Sequence, residues 1–368
     1  MRRRQIPCVG VNSRNWLLAT LCVLLCSCAQ FGPRFIEASR TDYNIAMSRT
    51  ENEQMLLNLV RLRYGDAPYF LEASALNTQF LFAPSAEASS SVDFDGAGTY
   101  GLKGRLAYEE KPTVTYSPLR GQEFVNQVLS RVSLDTVLLL DSSGWSTERV
   151  LRLCVEQLNE LDNAARASGP TPTTAPEVAR FRRAIELIGK FEQRGQLQIY
   201  RDKSNDMERT VARFTEDARG SAEYLELATL LKLDASQEKI ELTLNQFTDS
   251  NAKINFQTRS FMGVMYFLAQ SVSVPSAEVE AGKVTVTRDA SGGAFDWQRV
   301  TDGLMAIQSS KAAPDNAAVA VRYRGSWFYI DDTDQASKST FALLGQLFAL
   351  QSEADKGGAP ILTLPIGG

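Results

Sequence analysis

The feature that most constrains this chain is the apolar run Trp16–Leu25 close to its amino terminus, interrupted only by Thr20. Four arginines precede the run, and no acidic residue occurs before Glu37. The run is too short to cross a bilayer, because a spanning helix needs about 20 apolar residues. A basic start followed by a short apolar core is typical of a cleavable secretory signal. The folded protein is therefore expected to begin after this segment.

The residues that close the segment, Leu25-Cys26-Ser27-Cys28, resemble the bacterial lipobox. This resemblance implies that residues 1–27 are removed, that diacylglycerol is attached to the Cys28 sulfur, and that the new amino terminus is acylated. A plain secretory signal and a buried core helix are the alternatives. Ala29 stands where an inner-membrane retention signal would have Asp. By resemblance to lipoprotein sorting, this favours the outer membrane, with the bilayer as a partner through Cys28 and the body in the periplasm.

The rest of the chain mixes helical and strand patterns, which predicts an α+β fold with a mixed or antiparallel sheet and several packed helices. Residues 28–39 read as a tether, and the Pro- and Thr-rich residues 168–176 as a loop or hinge. This loop would separate an N-terminal half, residues 40–167, from a C-terminal half, residues 177–368.

Individual elements follow from periodicity and turn residues. Apolar residues at helical spacing predict helices at Tyr43–Tyr64, Thr147–Leu161, Thr258–Val272 and Lys338–Leu350. Ser- and Gly-rich residues 84–112 predict a flexible hairpin at the surface. The strongest hairpin signal is Val319–Ile330, where β-forming residues flank a turn at Arg324-Gly325-Ser326.

The amino-acid composition excludes several classes of function. The sequence contains no histidine, which excludes Ser-His-Asp and Cys-His catalysis and His-ligated zinc. Acidic residues outnumber basic ones, 43 to 39, which argues against nucleic acid as a partner. Cys154 sits in an apolar helical pattern and reads as a buried, inert thiol. No cofactor, metal ion or catalytic residue is predicted.

The densest group of carboxylates is Asp331, Asp332 and Asp334. It is read as a helix cap, with Asp334 as the capping residue and the hairpin arginines balancing the charge. A Ca²⁺ site and a catalytic carboxylate pair are the alternatives, in that order. The preceding hairpin carries residue types enriched at binding hot spots, namely Arg322, Arg324, Trp327 and Tyr329. Together with the three aspartates they form the candidate binding surface, although structural packing is the competing interpretation.

Two stretches resemble a group of proteobacterial outer-membrane lipoproteins with no assigned activity. One is Asn58–Tyr64 with Asp66, Pro68 and Phe70-Leu71; the other is Val319–Asp332 with Asp334 and Ser337-Lys338. Thr115–Leu119 and Ser143–Trp145 add to the resemblance, which implies a compartment and no catalytic residues. We expect a lipid-anchored envelope protein that acts by binding, as an accessory or structural subunit of an assembly with an envelope protein partner. The alternative is a hydrolase of glycan or peptidoglycan using the carboxylates near Asp331 and Asp334.

Overall fold

The computed structural model describes residues 31–92, 98–170, 172–203, 208–244 and 250–351. The signal segment and Cys28 lie outside the described residues. The chain divides into two compact units, Met1–Gln54 and Met55–Gly368. The division therefore falls near the amino terminus instead of at residues 168–176. Among the helices that the structure describes, none has the length and hydrophobicity of a membrane-spanning segment.

The architecture is α+β, as predicted. The helices are α1 Phe31–Arg63, α2 Gly121–Phe124, α3 Leu134–Ser142, α4 Thr147–Cys154, α5 Ala179–Gln193, α6 Glu216–Arg219, α7 Ala222–Leu231, α8 Phe261–Ala269, α9 Ser276–Glu280, α10 Gln298–Thr301 and α11 Gln335–Gln351. A π-helical turn, Val125–Leu129, continues α2, and a 3₁₀ turn spans Ala165–Ser168.

The strands are β1 Leu71–Val92, β2 Gly98–Pro118, β3 Val155–Leu158, β4 Leu161–Asp162, β5 Leu197–Asp202, β6 Arg209–Phe214, β7 Lys239–Leu244, β8 Lys253–Thr258, β9 Gln308–Ser310, β10 Ala317–Tyr323 and β11 Ser326–Asp331. They form a six-stranded sheet in the order β4-β3-β8-β7-β6-β5, a three-stranded sheet in the order β10-β11-β9, and a two-stranded hairpin, β1-β2.

The six-stranded sheet joins the two predicted halves. Strands β3 and β4 precede residues 168–176 and pair with β8, which follows them. The loop itself is bonded to the body, because the Thr287 hydroxyl donates to the Pro172 carbonyl at 2.5 Å and the Arg288 amide donates to the Thr173 carbonyl at 3.2 Å. The loop is thus a surface segment of one folded unit.

A buried arginine organises the centre of the second unit. Arg259 is fully buried, and its guanidinium donates to the carbonyls of Leu153 at 2.9 Å and Val155 at 2.7 Å. It also donates to the Asn163 carbonyl and lies 4.2 Å from the centre of the Phe267 ring. These bonds satisfy backbone carbonyl groups at the junction of α4 and β3.

This junction corrects two sequence predictions. The predicted helix Thr147–Leu161 is wrong beyond Cys154, because Val155 pairs with Thr258 in the sheet. The predicted helix Thr258–Val272 begins only at Phe261, where the Ser260 hydroxyl caps it by accepting from the Gly263 amide at 3.0 Å. In both cases the competing structure is a strand pairing about a hundred residues away in the sequence, which a local pattern does not contain.

The hairpin of β1 and β2 is far longer than the predicted one at residues 84–112. The strands pair antiparallel from Leu71 opposite Pro118 to Val92 opposite Gly98, with one irregularity between Ala73 and Ala75. Among the described residues neither strand pairs with a third strand.

Candidate functional site

The predicted hairpin at Val319–Ile330 is present as β10 and β11, with β9 alongside β11. Its inner face is apolar and packs on the core through Val319, Val321, Phe328 and Ile330, which are all buried. Because side chains alternate along a strand, the residues between these point to the other face. The small sheet therefore has one buried face and one face whose side chains are exposed or half-buried, which is called the open face.

Three of the predicted surface residues share that open face. Arg322 lies opposite Trp327 in the register, and Trp327 and Tyr329 lie opposite Ser310 and Gln308 of β9. Arg322 is exposed, whereas Trp327 and Tyr329 are half-buried. The Tyr329 hydroxyl donates to the Gln308 side chain at 3.0 Å. Within the described part of the chain, the Arg322 guanidinium has no hydrogen-bond or ion-pair partner.

Arg324 has a different role. It forms a two-residue turn with Gly325, and both residues adopt positive φ, at 46° and 82°. Such turns match the twist of the strands but favour Asn and Gly over a long side chain. Arg324 is held there by the Asp66 carboxylate, at 2.8 Å, and by the Tyr64 ring, whose centre is 4.9 Å away. Arg324 therefore has a structural role in the turn.

This turn brings together residues 64–66 and residues 323–328, which are far apart in the sequence. Besides Arg324, the Tyr323 hydroxyl donates to the Asp66 carboxylate at 2.5 Å, and these bonds lower the pKa of Asp66. The Tyr64 ring packs edge-on against Tyr323 and Phe328. Tyr64 in turn donates to the Glu278 carboxylate, and burial together with that bond raises the pKa of Tyr64. These residues make a structural joint between the end of α1 and the small sheet.

The aspartate cluster is bonded within its own segment. Asp334 caps α11, accepting from the Ser337 amide at 3.0 Å and the Ser337 hydroxyl at 2.5 Å. Asp331 accepts from the hydroxyl of Thr333 at 2.5 Å and from its amide at 2.8 Å, which lowers the pKa of Asp331. Asp332 pairs with Lys338 at 2.7 Å. The partner of Asp332 is this lysine of α11, whereas the sequence analysis assigned the balancing charge to the hairpin arginines.

A cavity that the sequence analysis missed lies between the helices and the six-stranded sheet. Its volume is about 360 Å³, within the range of ligand pockets. Most of its wall is apolar and comes from α3, α4, α5 and the strands β5 to β8, including Val137, Leu138, Ile188, Leu197, Phe214 and Phe256. The only local sign was a set of apolar residues spread over separate helices and strands, which no motif joins.

Two carboxylates share one hydroxyl in the wall of this cavity. The Thr147 hydroxyl is 2.6 Å from the Asp141 carboxylate and within hydrogen-bond distance of the Glu192 carboxylate. A hydroxyl donates a single proton, so Thr147 satisfies one carboxylate at a time. Among the described residues neither carboxylate has an ion-pair partner. The wall thus offers a negative, hydrogen-bond-accepting point in an apolar surrounding.

In the described residues no group of three or more acidic or cysteine side chains is arranged to hold a metal ion. Cys154 is buried, and burial raises the pKa of its thiol to about 12, so it is not a nucleophile at neutral pH.

Comparison with protein-family models, with curated proteins and with solved structures finds no match to this chain. The site must therefore be interpreted from its own geometry.

Proposed function

We propose that this protein is a lipid-anchored envelope protein that acts by binding, as an accessory or structural subunit of an assembly at the outer membrane. The observation that carries the proposal is the open face of the small sheet. Arg322, Trp327 and Tyr329 lie side by side there on a rigid, core-packed support. Arginine and large aromatic residues on rigid elements supply most of the energy in protein interfaces.

The hydrolase alternative has less support. A general acid and a nucleophile or base require carboxyl groups that reach a bound substrate. Asp331, Asp332 and Asp334 instead accept bonds from Thr333, Lys338 and Ser337 of their own segment. Moving any of them to a substrate would break a turn, an ion pair or a helix cap.

A second candidate function is the binding of a small amphiphile in the cavity. The apolar wall suits a hydrocarbon body, and the Asp141 and Glu192 carboxylates suit a cationic or hydrogen-bond-donating head. Dodecylamine is then expected to raise the unfolding temperature at concentrations where dodecanoate does not. Leu138→Trp, which fills the cavity, should abolish that rise; an equal rise with both compounds, or one that Leu138→Trp leaves intact, would reject this candidate.

Lipid anchoring is tested by metabolic labelling with radioactive palmitate. The protein should take up label, and Cys28→Ser should remove it. Cys26→Ser is the matched control, because it changes a cysteine of the same segment at the variable position of the lipobox and should leave labelling intact. Label retained by the Cys28→Ser protein would contradict the anchor.

Binding is tested by isolating the protein from solubilised envelope membranes. The account predicts that Arg322→Ala combined with Trp327→Ala removes a co-isolated envelope protein that the unsubstituted chain retains. Leu225→Ala is the control, since Leu225 of α7 is also an exposed apolar residue, at 52%. The unfolding temperature of each variant establishes that the fold is kept. Equal recovery of the partner with all the proteins would contradict binding through this face.

A further inference from the structure

Strand β10 forms one edge of the small sheet. It pairs with β11 on one side, and within the ranges that the structure describes no strand pairs with its other side. Edge strands are usually protected from further pairing by charged residues, by proline or by very short length. β10 has 7 residues, a single charged residue, Arg322, and no proline. A register irregularity between Ala317 and Val319 affects only its start, so most of this edge is suited to pairing.

The register shows which backbone groups of β10 point outward. Tyr323 and Ser326 are the pair that closes the two-residue turn. In such a hairpin this pair exchanges both backbone hydrogen bonds, and the bonded positions then recur at every second residue. Val321 is therefore bonded to β11, whereas the amide and carbonyl groups of Ala320 and Arg322 point to the outer edge. In the described part of the chain no backbone hydrogen bond from another segment reaches these outward groups.

The two ends of β10 carry opposite charges. Arg322 is exposed near the end of the strand, and Asp315 is exposed just before its start. Among the residues described, neither side chain has a hydrogen-bond or ion-pair partner. The small residues Ala318 and Ala320 lie between them. An antiparallel copy of the same strand would bring each Arg322 to the Asp315 end of the other, and opposite charges facing across strands are favourable.

We propose that two copies of this chain associate by pairing β10 antiparallel with β10 of the second copy. The edge is self-complementary, because each copy supplies the same outward donors and acceptors and the same two charges. The contact is isologous, as in most two-fold dimers, and it joins the two small sheets into one. The open faces of both copies then form a single surface that carries Arg322, Trp327 and Tyr329 from each. The proposal goes beyond the proposed function, since this dimer needs no envelope protein partner.

The first test measures the mass of the purified full-length protein in detergent by analytical ultracentrifugation over a wide range of protein concentration. Ala320→Pro removes an outward amide and no bond to β11, a position where an edge strand tolerates proline. Ala320→Ser is the matched control, because it keeps the amide. We expect a dimer for the unsubstituted protein and for Ala320→Ser, and a dissociation constant at least tenfold higher for Ala320→Pro. An unchanged circular dichroism spectrum shows that Ala320→Pro is folded.

Charge reversal gives a second test that does not depend on proline, and it decides the matter if Ala320→Pro fails to fold. Arg322→Glu and Asp315→Arg should each weaken the dimer at least fivefold, because each places like charges across the edge. The two substitutions together should restore association, since the attraction is then reversed in direction. A protein that stays monomeric, a dimer that the proline and both reversals leave intact, or a double variant no tighter than the single ones would overturn the proposal. The dimer is measured on the purified chain, so its failure is distinguishable from a failure to bind an envelope protein.

Discussion

At the scale of single residues, two polar side chains, Arg259 and Asp66, make long-range contacts that stabilise the fold. Sequence patterns do not predict these contacts. Arg259 follows a strand and precedes a helix, and nothing in its neighbourhood predicts a fully buried charge. Its partners are the backbone carbonyls of the α4–β3 junction, about a hundred residues earlier in the chain. Asp66 follows α1, and its pairing with Tyr323 and Arg324 spans more than 250 residues. Such long-range polar contacts carry no periodicity, so sequence patterns miss them.

Loss of the buried guanidinium should be among the most damaging single changes. Arg259→Met removes charge-assisted bonds, including those to the Leu153 and Asn163 carbonyls, and is expected to lower the free energy of unfolding by more than about 3 kcal/mol. Arg213→Met is the control, because Arg213 lies at the surface in an ion pair with Glu238 and should change stability by no more than about 0.5 kcal/mol. Urea unfolding measures both. A small effect at Arg259 would show that water or another donor replaces it.

The Asp66 joint predicts a pH dependence. Tyr323 and Arg324 hold the folded-state pKa of Asp66 below its ordinary value of 3.8, so its stabilisation is present at neutral pH and is lost as pH falls through the lowered pKa. Asp66→Asn should therefore lower the unfolding temperature at pH 7. The difference from the unsubstituted protein should shrink below about pH 4. A difference that stays constant from pH 7 to pH 2.5 would mean that the charge of Asp66 does not contribute.

At the scale of elements, the sequence predicts those built from local signals. The hairpin of β10 and β11 follows from alternation and a Gly turn, and α11 and the part of α1 after Tyr43 follow from apolar spacing. Helix α1 begins earlier, at Phe31, within the residues predicted as a tether. The elements that differ are those fixed by distant partners. Helix α4 stops at Cys154 because the next residues, predicted as part of the same helix, form β3 and pair with β8. The cavity is missed for the same reason, since its wall is assembled from segments far apart in the chain.

The capping interpretation of the aspartate cluster is tested at α11. Asp334→Ser keeps a side-chain acceptor for the Ser337 amide and should be nearly neutral, whereas Asp334→Ala should cost about 1 kcal/mol. Thermal or urea unfolding gives both values. If the cluster were a Ca²⁺ site, added Ca²⁺ would raise the unfolding temperature, and Asp332→Asn would erase that rise. We expect no Ca²⁺-dependent shift; a reproducible shift that Asp332→Asn removes would contradict the cap.

At the scale of the whole molecule, two parts of the chain have separate proposed tasks. The lipobox cysteine would attach the chain to the membrane, and the open face of the small sheet would bind a partner. The α+β class follows from sequence pattern alone. The open face was predicted only in part. The sequence pattern grouped Arg324 and the three aspartates with Arg322, Trp327 and Tyr329. In the structure Arg324 pairs with Asp66 in the hairpin turn, and the aspartates bond within their own segment, where Asp334 caps α11.

The central claim, binding through this face, is tested most directly by placing a photo-crosslinking benzophenone amino acid at position 327 in living cells. The account predicts one discrete adduct with an envelope protein, present with the probe at 327 and strongly reduced when Arg322→Ala and Tyr329→Ala are added. The same probe at Leu225, exposed on α7, should give no such adduct. An adduct that forms equally from both positions, or no adduct from position 327 in a folded, membrane-bound protein, would contradict the claim.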